Sequence, residues 1–134
     1  MDRVTPATRS KIMAAVRTRD TGGEKAVRSM VHGLGYRYSL KRNELPGRPD
    51  LAFVSRRKVI FVHGCFWHGH PCKYGRLPKS RLNYWQPKIA GNKARDRQQV
   101  TRLRKDGWSV LTIWQCEIKK KRFLEARIRG FLDE

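Results

Sequence analysis

The sequence has few acidic side chains, few cysteines and no long apolar run. Its 134 residues include 11 Asp and Glu against 31 Lys and Arg, and only three cysteines. No apolar stretch approaches the roughly 20 residues that a membrane-spanning helix requires. The polar N-terminus lacks the apolar core of a secretory signal, and three cysteines cannot all pair within one chain. These absences argue against a membrane protein and against a disulfide-rich secreted protein, so we expect an intracellular chain.

The scarcity of acids leaves a formal net charge of +20 and an isoelectric point near 11.0. A compact domain with this imbalance repels itself unless it binds a polyanion. Nucleic acid is the obvious polyanion, because each phosphate contact releases condensed counterions and adds affinity. The charge therefore predicts a nucleic-acid partner and leaves the chemistry open.

No repeat, low-complexity block or Pro/Gly-rich linker divides the sequence, and its length suits one domain with a modest core. We expect residues 1–134 to form a single domain, in which residues 1–20 are an N-terminal arm with a short basic helix. Hydrophobic periodicity predicts an α/β fold, with a small mixed β-sheet flanked by helices.

The predicted elements begin with a helix that starts at the capping-box pair Thr21 and Glu24. Strands are then predicted over 36–41, 50–54, 58–63 and 108–114, a long basic helix over 85–105, and a last amphipathic helix through Leu124, Ile128, Phe131 and Leu132. A hairpin with Val54 opposite Lys58 would bring Asp50 to Val62, beside His63. The strand 108–114 is nearly apolar on both faces, which predicts a central position in the sheet with both of its tryptophans in the core.

Five cysteine and histidine side chains fall within the ten residues 63–72. Zinc prefers four such ligands in a tetrahedral site. Three of these ligands can come from the loop itself, from Cys65, His70 and Cys72. The fourth can come from Cys116, just past the last strand. On spacing alone, His68 could replace His70. A site closed by four protein ligands has no position for water, so this zinc would be structural. The alternative is a set of reduced buried cysteines with histidines that face solvent.

Asp50 stands out because carboxylates are scarce. It begins a strand after a turn, where a carboxylate can hold Mg²⁺, although an Asp after proline is more commonly satisfied within its own turn. His63 and His68 are nearby, and imidazole is the usual general base near neutral pH. This combination is typical of metal-assisted phosphodiester hydrolysis. Glu24 either caps its helix or supports a metal-bound water, and Asp96 is expected to be an ion-pair partner in its basic segment.

Three motifs together resemble the very-short-patch-repair (Vsr) DNA mismatch endonucleases. They are TRSKIM at 8–13, LPGRPD at 45–50 and FVHGCFWHGHPC at 61–72, in a match that runs from about Thr8 to Cys116. Pro49-Asp50 also resembles the PD-(D/E)xK nuclease core, with FVH at 61–63 in place of the usual (D/E)xK. The resemblance implies a restriction-endonuclease-like core with a structural zinc site. It also implies a DNA mismatch endonuclease that nicks one strand beside a T:G mismatch, uses Mg²⁺ and initiates very short patch repair.

The resemblance further implies roles for single residues. Asp50 would bind Mg²⁺ together with the main-chain oxygen of Val62, His68 would activate water, and His63 would assist at the metal or the phosphate. Glu24 joins them in the implied catalytic set. The implied zinc ligands, which select His70 over His68, are Cys65, His70, Cys72 and Cys116.

The implied DNA contacts come from the arm, the cysteine-rich loop and the long helix. They are Met13, Phe66, Trp67, Trp85, Lys88 and Asn92. A loop pinned by metal buries aromatic side chains poorly, so we expect Phe66 and Trp67 to be available for wedging into the base stack.

The implied partner is duplex DNA with a T:G mismatch, bound by a monomer in the bacterial cytoplasm, at the nucleoid and in concert with mismatch-repair proteins. Two alternatives stay open. One is a site-specific or homing-type endonuclease on the same core, which would cut matched duplex. The other is a non-catalytic zinc-containing DNA-binding protein.

Overall fold

The computed structural model describes residues 22–40 and 44–134. Its helices and strands are α1 (Gly22–Gly33), β1 (Ser39–Leu40), β2 (Leu51–Phe53), β3 (Lys58–His63), α2 (Leu82–Lys105), β4 (Ser109–Trp114) and α3 (Lys121–Leu132). The arm predicted over residues 1–20, its Met13 and the predicted capping residue Thr21 lie outside the described residues. Within the described ranges, no helix has both the length and the apolar composition needed to span a membrane.

The strands form one mixed sheet in the order β1-β2-β3-β4, which confirms the predicted sheet type. The first three strands are antiparallel neighbours, whereas β3 and β4 are parallel and are joined by α2 as the crossover. The predicted central position of the last strand is wrong, because β4 pairs only with β3 in the described sheet. Its apolar sequence has another cause: Ile113 packs on one face of the sheet and Val110 on the other.

Helices cover both faces of the sheet and bury a separate core on each. On one face, α1 and α3 supply Val27 and Ile128 against Ile60 of β3. On the other face, Leu103 of α2 packs against Phe61. Side chains alternate along a strand, so His63 at the end of β3 points to the same face of the sheet as Phe61, which is the face covered by α2.

The β2–β3 hairpin is offset by one residue from the predicted register. Phe53, not Val54, pairs with Lys58, because residues Val54–Arg56 form a 3-10 turn that shortens β2. The turn ends at Arg57, whose backbone is left-handed. Asp50 still lies just before β2 and close to the end of β3, so the predicted meeting of Asp50 with Val62 and His63 survives the shift.

A buried lysine joins the hairpin to the last helix. Lys58 is 7% exposed, and its Nζ donates hydrogen bonds to the main-chain carbonyls of Phe131, Leu132 and Glu134. Arg56 donates a further hydrogen bond of 2.7 Å to the Leu132 carbonyl. Cations at a helix C-terminus satisfy its unpaired carbonyls and interact favourably with the helix dipole. The end of α3 is thereby fixed to β3.

Candidate active site and metal centre

A cavity of about 480 Å³ at the end of β3 gathers most of the residues that the sequence singled out for chemistry. Its walls come from α1, the hairpin, the cysteine-rich loop and α2. The sequence-predicted residues that line it are Glu24, Asp50, Val62, His63, Trp67, His68, Lys88 and Asn92. Residues distant in sequence therefore share one solvent-accessible space.

Asp50 lies against the main chain of β3. Its Oδ2 accepts a hydrogen bond of 2.6 Å from the Val62 N–H. β2 begins only at Leu51, which pairs with Ile60, so the peptide groups of Val62 extend past the end of β2. Within a strand, the N–H and C=O of one residue face the same edge, and the Val62 carbonyl thus faces the side where Asp50 lies. A carboxylate beside a main-chain oxygen is a donor set that suits Mg²⁺.

His63 and His68 stack face to face, with ring centroids 3.7 Å apart and planes within 4°. Burial, reinforced by repulsion from His68, lowers the pKa of His63 to about 4, so its ring is neutral at pH 7. The Nδ1 atom of His63 is buried and has no hydrogen-bond partner among the described residues. A neutral imidazole with a spare nitrogen can accept a hydrogen bond or bind a cation.

Asp96 is the partner of His68, and sequence reasoning missed this pairing. The distance from Asp96 Oδ2 to His68 Nδ1 is 2.6 Å, whereas the sequence suggested only an ion pair within the basic segment. Because an ionised carboxylate only accepts, Nδ1 carries the hydrogen and Nε2 keeps the lone pair. The signal in the sequence is the i, i+4 spacing of Lys88, Asn92 and Asp96, which places all three on one face of α2.

The cysteines and one histidine form a second cluster next to the cavity. The ligand atoms of Cys65, His70, Cys72 and Cys116 all lie within 4.8 Å of one another, and Cys116 Sγ is 3.6 Å from His70 Nδ1. A tetrahedral zinc site, with bonds of about 2.0–2.3 Å, holds its ligand atoms roughly 3.5–4 Å apart. The donor set therefore fits such a metal, and the structure brings His70 rather than His68 to the cysteines.

The thiols of this cluster differ in acidity. Burial raises the pKa of Cys65 to about 12. At Cys72, burial also raises the pKa, but hydrogen bonds, led by that of His70, outweigh it and lower the pKa to about 6. Metals bind the thiolate form, so a metal at this cluster would displace the thiol proton of Cys65.

The loop that carries three of these ligands folds back tightly on itself. The His70 N–H donates to the Cys65 carbonyl at 3.0 Å, the Cys72 N–H to the His70 carbonyl at 2.8 Å, and the Gly75 N–H to the Cys72 carbonyl at 3.0 Å. A Cβ at Gly75 would lie 1.9 Å from the His70 carbonyl oxygen. Glycine is therefore needed at this position for a close approach of two chain segments.

Trp114 connects the two clusters, which corrects its predicted place in the core. Its ring stacks on His70 with centroids 4.2 Å apart and meets His63 edge-on at 5.4 Å. It is the last residue of β4, in register with His63, and so it extends past the α2-side core. Trp108, at the other end of this segment, is half-buried and packs against that core.

Of the two aromatic side chains expected to be available for DNA, Trp67 is buried and Phe66 is half-buried. Trp67 and Trp85 are 8% and 7% exposed and form a cluster with Ile89, against which the half-buried Phe66 packs. The rings of Trp67 and Trp85 meet edge-to-face with centroids 5.7 Å apart. The reason is that α2 begins at Leu82, so that Trp85 lies inside the helix and covers the loop.

Two polar residues of α2 also hold this loop. The Asn92 side chain donates a hydrogen bond of 2.8 Å to the Trp67 carbonyl. Lys88 Nζ lies 5.9 Å from the centre of the Trp67 ring, within range of a cation–π interaction. The residues for which the sequence implied DNA contacts thus pack together at one rim of the cavity, apart from Met13, which is not described.

The cavity combines oxygen donors for a cation, an imidazole that a carboxylate orients, and cationic side chains from Arg48, Lys88 and Arg95. On a small α/β domain of net charge +20, this combination defines a nuclease, and we assign the class as DNA endonuclease. Residues 1–74 match the family model described as DNA mismatch endonuclease Vsr. The chain belongs to the Vsr DNA mismatch endonuclease family. Because the family consists of nucleases, it implies a divalent metal and removes the alternative of a non-catalytic binding protein.

Relatives extend the match over nearly the whole chain. The chain is 54% identical over 132 residues to the type II nicking enzyme V.XorIIP of Xanthomonas oryzae, which covers 98% of this chain and 97% of the relative. It is 45% identical over 113 residues to the DNA mismatch endonuclease Vsr of Escherichia coli, which covers 84% and 72% of the two chains.

Among solved structures, the catalytic domain of the homing endonuclease I-Bth0305I is similar, with a TM-score of 0.58 and 17% sequence identity. The similarity covers 84% of this chain and 94% of that domain. At this identity the likeness establishes the fold alone. The fold agrees with the predicted α/β class and its mixed sheet.

Proposed function

We propose that this chain nicks one strand of duplex DNA beside a T:G mismatch by Mg²⁺-dependent hydrolysis, and so initiates very short patch repair. The observation that carries the proposal is the cavity that unites Asp50 and Val62 with the His68–Asp96 pair. Membership of the Vsr family supports the choice of a mismatch as the substrate.

In this proposal, Asp50 and the Val62 carbonyl would hold Mg²⁺. The cation would stabilise the charge that develops on the phosphate and make bound water a stronger acid. His68 accepts a proton from the attacking water at Nε2, because Asp96 keeps the hydrogen of the ring on Nδ1. The water oxygen bonds to phosphorus as one ester P–O bond breaks, and the released sugar oxygen takes a proton from solvent water. His63, neutral and largely buried, would accept a hydrogen bond from a water at the metal with one ring nitrogen or donate one to the phosphate with the other. Glu24 would support a water bound to that cation from the α1 wall.

Recognition of the mismatch would fall to the aromatic cluster and the residues around it. Phe66 is the most exposed member of the trio and would enter the base stack, with Trp67 and Trp85 supporting it or following as the loop moves. Unstacking costs a few kcal/mol and is least costly at a mispair, which favours wedging there. Lys88, Asn92 and the arm residue Met13 complete the proposed DNA contacts.

Zinc in the Cys65, His70, Cys72 and Cys116 cluster would be structural, since four protein ligands leave no open position. We predict that Cys116→Ala and His70→Ala each reduce bound zinc below one per chain and lower the melting temperature, because metal binding contributes directly to folding. Elemental analysis and thermal denaturation measure both effects. The control is His32→Ala, an exposed histidine of α1, which should retain the metal. Unchanged zinc in Cys116→Ala would remove that residue from the ligand set.

The nicking reaction is tested with strand-labelled duplexes that carry T:G or T:A within randomised flanking bases, because the preferred flanks are unknown. Incubation with Mg²⁺ should nick only the T:G duplex, on one strand, and EDTA should abolish the product. Equal nicking of both duplexes would favour the alternative of a site-specific enzyme, which the name of the V.XorIIP relative, a type II nicking enzyme, also suggests. The predicted monomer, its nucleoid location and its coupling to mismatch-repair proteins stay predictions.

A further inference from the structure

We propose that Arg48 binds a phosphate of the cleaved DNA strand, as a substrate-binding residue in the cavity that already contains Asp50. The inference deepens the proposed function and rests on it, because it concerns the same cavity. Three observations carry it: the backbone conformation of Arg48, the packing that maintains this conformation, and the absence of a protein partner for its guanidinium among the described residues.

The backbone at Arg48 is in a conformation that residues with side chains avoid. Its N–H donates to the Leu45 carbonyl at 3.1 Å, closing a turn with Pro46 and Gly47 in the middle. Gly47 has φ +77, as the third position of a type II turn requires. Arg48 itself follows with φ 48. The left-handed region disfavours any Cβ, and the proline at 49 pushes the preceding residue towards extended backbone.

Packing against α2 and β3 and the burial of Pro49 hold this strained turn in place. A Cβ on Gly47 would lie 2.7 Å from the side-chain oxygen of Gln99 and 3.1 Å from the Phe61 ring, so the turn is pressed against α2 and β3. Pro49 is fully buried. Glycine at position 48 would adopt the same backbone without strain. A strained backbone that is retained at the rim of an active site indicates that the side chain of the strained residue has a function.

The guanidinium of Arg48 is exposed and lines the cavity two residues before Asp50. Within the described ranges, three residues other than glycine have a left-handed backbone, and all are arginines. Arg57 donates to the Asp106 carbonyl at 2.7 Å and stacks on Trp108, and Arg81 stacks on Tyr84. Of the three, only Arg48 has a side chain that makes no hydrogen bond, ion pair or ring contact with the described residues.

An unpaired guanidinium beside an oxygen-rich metal position fits a phosphate. Its planar fork of N–H donors matches two phosphate oxygens, and charge-assisted bonds of this type are about twice as strong as neutral ones. Lys88 and Arg95 bring further positive charge to the cavity from α2. The phosphate bound by Arg48 would therefore lie next to the cation held by Asp50, at or beside the bond that is cleaved.

The test compares Arg48→Gly with Arg57→Gly. Both substitutions remove one positive charge and one left-handed arginine, but only Arg48 lines the cavity. In Mg²⁺, we expect Arg48→Gly to lower the single-turnover nicking rate or the affinity for the T:G duplex about 10- to 100-fold, the loss of one charged hydrogen-bonding group. Its melting temperature should be no lower than that of the wild type. Arg57→Gly, measured below its own melting temperature, should nick within about threefold of the wild type.

A second readout does not depend on cleavage. In EDTA, the logarithm of the affinity for an uncut duplex is measured against the logarithm of salt concentration. Loss of one phosphate contact should reduce the slope by about 0.9 in Arg48→Gly and leave it unchanged in Arg57→Gly. If both variants keep the wild-type slope, or change it equally, the proposal for Arg48 is overturned. If the wild type binds but nicks nothing, the proposed function fails while the slope still decides the role of Arg48.

Discussion

At the scale of single residues, three of the chain's few carboxylates, Glu24, Asp50 and Asp96, line one cavity. Asp50 and Asp96 are each positioned by a different hydrogen bond. Asp50 accepts the Val62 N–H, which positions it beside a main-chain carbonyl, and Asp96 accepts the Nδ1 hydrogen of His68. Asp50 is therefore placed to bind a metal, and Asp96 is placed to orient the general base His68.

Replacing Asp96 by asparagine tests that second role. The amide keeps the shape but can also donate, so it no longer fixes the hydrogen of His68 on Nδ1. A general base contributes about 10²- to 10⁴-fold, and we expect Asp96→Asn to lower the single-turnover nicking rate by about 10²-fold. The affinity for uncut duplex should change little.

The matched control is Asp106→Asn, which removes the same charge from the exposed end of α2. It should nick at the wild-type rate. If Asp96→Asn and Asp106→Asn are equally active, His68 does not depend on Asp96, and the assignment of its tautomer is wrong.

At the scale of elements, the segment that carries the chemistry is mostly a loop. Residues 64–76 contain only one short 3-10 turn and are ordered by hydrogen bonds along their own backbone and by the Cys/His cluster. The sequence could indicate this cluster because ligand side chains are dense there. It could not choose between His68 and His70, since both have suitable spacing. The fold distinguishes them, because Nδ1 of His68 is taken by an aspartate of α2.

The tight folding of this loop makes a prediction about two glycines. Gly75→Ala should disrupt the loop, reduce bound metal and lower the melting temperature, because its Cβ would overlap the His70 carbonyl oxygen. Gly64→Ala is the control, since a Cβ there comes no closer than 3.9 Å to a neighbouring side chain. Equal metal content and stability in the two variants would contradict the described path of the loop.

The link between β3 and α3 makes a prediction about stability. Lys58→Met keeps most of the buried aliphatic chain but removes the donor to three carbonyls at the end of α3. We expect a loss of about 1–3 kcal/mol in the free energy of unfolding, measured by denaturant titration. Lys105→Met, at the exposed C-terminus of α2, should lose clearly less. Equal losses in the two variants would show that the buried hydrogen bonds of Lys58 do not contribute to the free energy of unfolding.

At the scale of the whole molecule, the elements were more predictable from sequence than their arrangement. The strand 58–63 matches β3, because a short and mostly apolar run rich in β-branched residues is typical of a strand that is buried on both faces. The prediction for β4 failed because helices cover both sides of an edge strand, and apolar composition alone does not reveal which neighbour a strand has. The sequence predicts that Trp67 is available for DNA, yet Trp67 and Trp85 bury each other, a long-range contact that local patterns do not encode.

The strong positive charge takes a more definite meaning from this arrangement. Basic residues of the turn before β2 and of α2 surround a cavity whose floor holds carboxylate and imidazole groups. The cations would position the duplex by its phosphates without reading its sequence. Asp50 would then attract the metal within a field that is otherwise positive, which makes it the residue on which the whole account depends.

The most direct measurement compares nicking and binding in Asp50→Asn. A T:G duplex is incubated with the variant in Mg²⁺ under single-turnover conditions, and its affinity for the same duplex is measured in EDTA. We predict a nicking rate at least about 10³-fold below wild type, because a metal ligand is lost. Affinity should stay within about threefold of wild type, since Asp50 repels rather than binds phosphates. A variant that still nicks at a rate close to that of the wild type would contradict the assignment of this cavity as the metal-dependent active site.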